Sequence, residues 1–218
     1  MRVLTWNLYH GRAVPPAGRD LLAEYAAALA GWNWDVALLQ EVPPWWPPAL
    51  GKAAGASART ALTSRTWGLP VRRAVARRWP DVIKSNGGGA NAILVRGAPP
   101  TDHRRATLRL WPERRVVHAV RLADGIWVAN LHAQVHSEAR ARADLATAAR
   151  ALDGWAAGGP AVLGGDTNTR NPVAPGFDVI GGQDVDFVLA RGLAAKGLVV
   201  PLAHGHLSDH APVVAEVG

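Results

Sequence analysis

Short apolar runs that end on polar side chains recur along the chain. The first is Val3-Leu4-Thr5-Trp6-Asn7, a strand that turns polar at its last residue. The second, Asp35 to Val42, is apolar almost throughout, as in a strand covered on both faces, yet carries Gln40 and Glu41 near its end. Further strands are expected at Ala90–Arg96, Ala106–Trp111, Arg115–Leu122, Ile126–His132, Ala161–Gly165, Asp186–Ala190 and Pro212–Val217. Asp124-Gly125 is a two-residue hairpin turn inside this series. Three helices interrupt the strands. Asp20–Leu29 puts Leu21, Leu22, Tyr25 and Leu29 on one face, with Gly31 as its stop. Leu69–Trp79 reads as a basic helix carrying Arg72, Arg73, Arg77 and Arg78. Ser137 is the N-cap of a helix that uses Ala141, Leu145, Ala149 and Leu152 and stops at Gly154. Between Pro43 and Pro80 the pattern weakens, because Pro43, Pro44, Pro47 and Pro48 break regular structure around Trp45 and Trp46.

Both halves of the chain thus run strands, one covering helix, more strands. Two mainly antiparallel sheets packed face to face, with helices outside, would bury the apolar runs. The expectation is an α/β fold of the four-layer α/β/β/α sandwich type, forming a single domain over residues 1–218. The polar strand ends would then gather along one rim, where sheet enzymes hold their sites.

Those strand ends carry the candidate chemistry. Gly164-Gly165 lets the chain turn tightly before Asp166-Thr167-Asn168. Asp166 can take a proton from water while Asn168 orients that water or a phosphate oxygen. Glu41 closes an apolar strand, where a carboxylate is unfavourable unless paired or metal-bound, and Mg²⁺ prefers one or two carboxylates with water and phosphate oxygens. Asn7 ends the first strand in the same way and can fix Glu41 or a metal-bound water. His210, in Ser208-Asp209-His210-Ala211-Pro212, needs an acceptor for one ring nitrogen, and Asp186 at the start of an apolar strand is the candidate. Asp209 points away from His210 on an extended segment and can reach a metal shell. His132 follows Asn130-Leu131 and can bind phosphate or protonate a leaving oxygen. His136 is the weaker candidate beside it, while His10, His103, His118, His204 and His206 have no evident partners, His118 reading as a satisfied strand histidine. Taken singly, each of these could be a turn or cap residue; together, in this order, they point to a site that holds a hard metal ion and attacks a phosphate.

The order of motifs resembles the endonuclease/exonuclease/phosphatase superfamily, the DNase I-like fold shared by nucleases, abasic-site endonucleases, deadenylases, sphingomyelinases and inositol polyphosphate 5-phosphatases. The resemblance runs through Thr5-Trp6-Asn7, Gln40-Glu41, Gly89 to Leu94, Asn130-Leu131-His132, Gly165-Asp166-Thr167-Asn168, Val185-Asp186-Phe187-Val188 and Ser208-Asp209-His210. It implies that Asn7, Glu41 and Asp209 form the metal end of the site, with Mg²⁺ or, as a substitute, Mn²⁺. It further implies that Asp166 and Asn168 activate and position water, that Asp186 holds His210, and that His132 binds phosphate. Abasic-site endonucleases typically have a tyrosine at that last position, so that branch is disfavoured.

Composition narrows the partners only a little. The chain has no cysteine, which excludes disulfides, thiolate metal sites and thiol nucleophiles and fits a reducing compartment. Its start turns polar within seven residues, too soon for a signal peptide, so a cytoplasmic location is expected. The formal net charge of +7 favours polyanions, although a sequence this rich in Ala, Gly, Arg and Pro would be basic from codon usage alone. Nucleic acid is the first substrate candidate; a small phosphoester or a phospholipid head group is the second, and a non-catalytic nucleic-acid-binding module the third. Trp45 and Trp46 read either as a membrane-touching or base-stacking loop or as cover for a core edge. No stable membrane association is expected, and the chain is read as a monomer.

Overall fold

The computed structural model describes residues 1–82, 85 and 89–218. Among them the chain runs β1 (Arg2–Asn7), α1 (Leu22–Gly31), β2 (Val36–Val42), α2 (Pro47–Ala53), β3 (Ala56–Leu62), α3 (Leu69–Arg78) and β4 (Ala90–Arg96). It continues with β5 (Asp102–Arg109), β6 (Arg115–Arg121), β7 (Trp127–His132), α4 (Glu138–Ala156), β8 (Ala161–Asp166), β9 (Asp178–Gln183), β10 (Asp186–Arg191), β11 (Val200–Pro201) and β12 (Val213–Glu216). Two six-stranded sheets result, ordered β11-β12-β1-β2-β4-β3 and β5-β6-β7-β8-β10-β9. Pairing is antiparallel except at β1–β2 and β7–β8, and these two parallel steps are the ones bridged by α1 and α4.

Period-two alternation separates the layers. Leu4 and Trp6 face α1 and α2, where they meet Tyr25, Leu29, Trp34 and Leu50. Val3, Val36, Leu38 and Ile93 face the other sheet and pack on Val120, Val128, Val162 and Val188. On the far side, Leu131 and Leu163 pack beneath Ala141, Leu145, Ala149 and Leu152 of α4. This is the expected α/β/β/α sandwich. The sheets approach closely at Gly164, where a Cβ would lie 2.8 Å from Leu38 Cδ1. Arg96 fastens the outer layer: its guanidinium donates to the carbonyls of Leu29, Trp32, Trp34 and Ala54 at 2.8–3.1 Å, near the C-terminal ends of α1 and α2 where carbonyls lack helical partners.

Element limits differ from the sequence pattern where packing overrides it. The Ser137 hydroxyl caps α4 by accepting from Arg140 N at 3.2 Å, as expected. The helix nevertheless passes through Gly154 to Ala156, because Trp155 packs on the α4 layer and against Trp127. The strand expected at Ala106–Trp111 instead covers Asp102–Arg109; it is the edge of its sheet, where charged residues such as Arg104 and Arg105 are tolerated. Pro47 and Pro48 do not break structure but open α2, whose first turn needs no N–H from them. Trp46 is buried, with its ring 5.4 Å from that of Tyr25, and Trp45 packs beside it, so both cover a core edge. Among the described residues no helix is long and apolar enough to cross a membrane.

Candidate active site

Strand register alone aligns part of the site. On the second sheet, His132 at the end of β7 is level with Asp166 at the end of β8, and Asp166 is level with Asp186 at the start of β10. Neighbouring strands lie about 4.8 Å apart, so an imidazole and two carboxylates stand side by side at one rim.

The first sheet reaches the same rim by bending. The pairing of β2 with β4 slips between Leu39 and Val42, and Glu41 inside the bulge adopts φ +49°. Such a bulge re-aims a side chain. Asn130 of the other sheet steadies it: its Nδ2 donates to Leu39 O and Ala92 O, each at 2.9 Å, and its Oδ1 accepts from Gln40 Nε2 at 2.8 Å. Of the eight described non-glycine residues with positive φ, five (Tyr9, His10, Glu41, Arg65 and Asn168) line one cavity. Strained backbone gathered in one place is a mark of function rather than of turn chemistry.

That cavity is about 500 Å³. It brings together Asn7, Glu41, His132, Asp166, Asn168, Asp209 and His210, with Asp186 directly behind His210. Asp166 is buried and its oxygens are taken up: Oδ1 accepts from Asn168 N at 3.0 Å, and Oδ2 accepts from Asn7 Nδ2 at 3.0 Å and lies 3.3 Å from His132 Nε2. Burial raises the Asp166 pKa against the pull of His210 and these donors. His132 is held well below its ordinary value, first by burial and then by the charge of Arg115, and is therefore neutral. Asn168 also donates Nδ2 to Ala133 O at 2.9 Å.

His210 Nδ1 lies 2.7 Å from Asp186 Oδ2. Burial works against the imidazolium, but the Asp186 hydrogen bond and the charges of Asp186, Asp166 and Asp209 outweigh it and hold the His210 pKa up at about 9. Its loop is tied to β1. Trp6 Nε1 donates to His210 O at 3.0 Å, and the Ser208 hydroxyl donates to Asn7 O at 2.6 Å while accepting from His210 N at 3.1 Å.

Several cavity residues escaped the sequence reading. His10 meets Glu41 Oε2 at 3.1 Å through Nε2, so the expectation that it lacks a partner is wrong; its place three residues after Asn7 was the available signal. Tyr9, Arg65, Glu113 and Arg115 also line the cavity, and so does His136. His103 and His118 pair with each other at 3.1 Å, although His118 Nε2 has no partner among the described residues. His206 pairs with Glu24. A larger groove of about 580 Å³, between Pro44, Trp45 and α3, offers arginines but no acid, amide or imidazole, and so lacks the chemistry of the smaller one.

Glu41, Asp209 and Asn7 bring hard oxygen donors to the lining of the cavity, the Asn7 Oδ1 also accepting from Tyr9 N at 3.0 Å. Among the described residues no three His, Asp or Glu side chains converge as a closed cage. The donor set suits Mg²⁺, which keeps much of its water and takes one or two carboxylates.

The sequence profile of the Endonuclease/Exonuclease/phosphatase family matches residues 4–210. No curated protein matches. Among solved structures, an endonuclease/exonuclease/phosphatase from Beutenbergia cavernae DSM 12333 superposes with a TM-score of 0.73 at 19% identity, over 100% of this chain and 71% of that one. A D. rerio TDP2 humanised by 14 mutations gives 0.73 at 13% identity, over 100% and 98%. The mannosyl-6-phosphatase Bt3783 of Bacteroides thetaiotaomicron VPI-5482 gives 0.70 at 15% identity, over 100% and 99%.

Proposed function

The chain belongs to the Endonuclease/Exonuclease/phosphatase family, whose members are phosphoester hydrolases, and from that premise we propose that it is a Mg²⁺-dependent nuclease cleaving phosphodiester bonds by in-line attack of water. The observation that carries this reading is the meeting of Glu41, Asp166, Asn168, Asp209 and His210 around one cavity, with Asp186 bonded to His210.

Asp166 is the base. Its burial makes it a stronger proton acceptor than an exposed aspartate, while Asn7 and Asn168 fix its orientation. Asn168 positions the water. His210 has Nδ1 committed to Asp186, which leaves Nε2 to meet a phosphoryl oxygen; as an imidazolium it stabilises the charge that builds on the pentacoordinate phosphorus. Neutral His132, with Nε2 beside Asp166, lines the phosphate side of the cavity and is not a source of protons for the leaving oxygen. Glu41 and Asp209, with Asn7, would hold the Mg²⁺. When bound, the ion supplies charge neutralisation at a phosphate oxygen and assistance to the leaving oxygen.

The +7 net charge and the guanidinia of Arg65 and Arg115 in the cavity wall favour nucleic acid as substrate. The second reading is a small phosphoester; the fold-level likeness to a mannosyl-6-phosphatase favours it. We take the protein to act as a cytoplasmic monomer without stable membrane association. The test is a panel of plasmid DNA, single-stranded RNA, abasic duplex, sphingomyelin, a sugar phosphate and bis(p-nitrophenyl) phosphate, with Mg²⁺, Mn²⁺ or EDTA. EDTA-sensitive cleavage of nucleic acid is expected. Turnover of the sugar phosphate alone would move the assignment to the second reading, and inertness toward the whole panel would overturn both.

A further inference from the structure

Two loops close over one side of the cavity. The segment after β3 carries Ser64 and Arg65; the segment between β5 and β6 carries Glu113 and Arg114 and leads into Arg115. Glu113 clasps them, with Oε1 on Arg65 and Oε2 on Arg115 Nη2 at 2.8 Å, and Ser64 Oγ accepts from Arg114 N at 2.7 Å. Two guanidinia therefore share one carboxylate, and the clasp keeps a net positive charge. Arg115 is more than nine-tenths buried, lines the cavity, and has an Nε without a partner among the described residues. A buried N–H in that state is a seat for an acceptor from outside.

The same loops hold two indoles in water. Trp67 is 77% exposed and Trp111 is 82% exposed. Each is two residues from a cavity-lining member of the clasp, at most about 7 Å along an extended chain. Arginine is interleaved with these indoles: Arg65 and Arg114 share their loops, and Arg72 of the adjoining α3 lies 5.4 Å over the Trp67 ring. A bilayer-binding face would group its apolar residues apart from the cations. Alternating guanidinium and indole instead matches a strand of alternating phosphate and base.

We infer that these clasped loops bind unpaired nucleotides flanking the scissile phosphate, with Arg65 and Arg115 taking a neighbouring phosphate and Trp67 and Trp111 stacking on bases. The inference rests on the nucleic-acid reading above and narrows it to single strands or frayed ends, since the bases of an intact duplex have no free face to offer.

Equilibrium binding of a fluorescein-labelled oligonucleotide, measured by anisotropy in EDTA so that no turnover occurs, tests it. Trp67→Ala and Trp111→Ala should each weaken single-strand binding on the order of 10-fold, with Trp67→Phe restoring most of the loss. The distant control Leu198→Ala, at a site 91% exposed, should bind as the unsubstituted chain does. A blunt duplex of equal length should bind more weakly than the single strand and respond little to either tryptophan variant. Unchanged single-strand binding in both variants overturns the inference, as do equal losses for duplex and single strand. Binding to anionic phosphatidylglycerol vesicles that is tryptophan-dependent, with no tryptophan dependence on oligonucleotide, overturns it in favour of a membrane face. Turnover of bis(p-nitrophenyl) phosphate by the unsubstituted chain reads the reaction separately: if that holds while the tryptophan variants bind normally, only the nucleotide-binding surface fails.

Discussion

The second sheet brings His132, Asp166 and Asp186 together by strand register, whereas the first sheet delivers His10 and Glu41 through bent backbone at positive φ. One half of the rim is a by-product of ordinary pairing. The other half is held against the local preference of the chain by contacts from elsewhere, above all the Asn130 amide. On the proposed mechanism the base Asp166 sits on the stiff half, and Glu41, one of the donors suited to a metal ion, sits on the strained half. A cation that keeps most of its own water, and so asks few ligands of the protein, is the partner such a half can serve.

Substitutions can break this contrast at several depths. The deepest loss is expected from Asp166→Asn, which should lower kcat/KM by about 10⁴-fold with an unchanged circular dichroism spectrum; His210→Ala should follow at roughly 10³-fold. Activity within a few-fold of the parent in either variant would remove the mechanism. Next comes Gly165→Ala on the register side. A Cβ there would lie 2.0 Å from Leu131 O, at φ +137°, so urea unfolding should report a loss of about 3 kcal/mol or more. Asn130→Ala should cost about 2 kcal/mol by leaving Leu39 O, Ala92 O and Gln40 Nε2 without their buried partner, and should also raise the Mg²⁺ concentration needed for half-maximal activity. If stability falls and the metal requirement does not move, the amide is only structural.

Buried histidine on the second sheet gives a smaller, pH-dependent effect. His118 is fully buried, and burial followed by the charge of His103 pushes its pKa down from 6.5 to about 3. The unfolded chain therefore takes up a proton that the folded chain refuses. Stability should fall as pH drops below 6.5 toward 3, with a slope approaching about 1.4 kcal/mol per pH unit from this group. His118→Gln should flatten that slope; an unchanged slope would assign the acid sensitivity elsewhere. The smallest effect, of opposite sign, is expected at the strained half. Glu41→Gly removes a side chain from a left-handed conformation and should leave stability unchanged or higher by up to about 1 kcal/mol while activity is lost. Destabilisation there would mean that the lost His10 contact outweighs the relieved strain.

This division also explains what the sequence disclosed. Residues fixed by register could be read directly, because an apolar run that ends on Asp166 or His132, or begins on Asp186, announces both the strand and its polar end. The Asp186 partnership with His210 was legible for the same reason, and it is present at 2.7 Å. Asn7 was placed at the rim correctly, but its amide bonds Asp166 rather than Glu41, since side-chain direction at a strand end depends on the turn that follows. Arg65 and Glu113 were not readable as site residues, and His10 only by its place after Asn7. They lie on loops whose course is set by contacts far away in sequence, as with the Glu113 clasp on Arg65. Elements β3, α2, β9 and β11 were missed, and the first two for different reasons: Ala56–Leu62 is built mostly of small residues with little hydrophobic contrast, and prolines that punctuate loops also start helices.

Gly164 sits beneath all of this, where the two layers nearly touch at Leu38. Because Glu41 rides on one layer and Asp166 on the other, the thickness at that point works as a spacer for the two walls of the cavity. A methyl group at residue 164 would press on the end of the Leu38 side chain and on Phe187 O, so that layer and rim would have to adjust without any proposed reacting group being altered. A bare hydrogen atom in the apolar filling thus lets the two sheets come this close beneath the cavity.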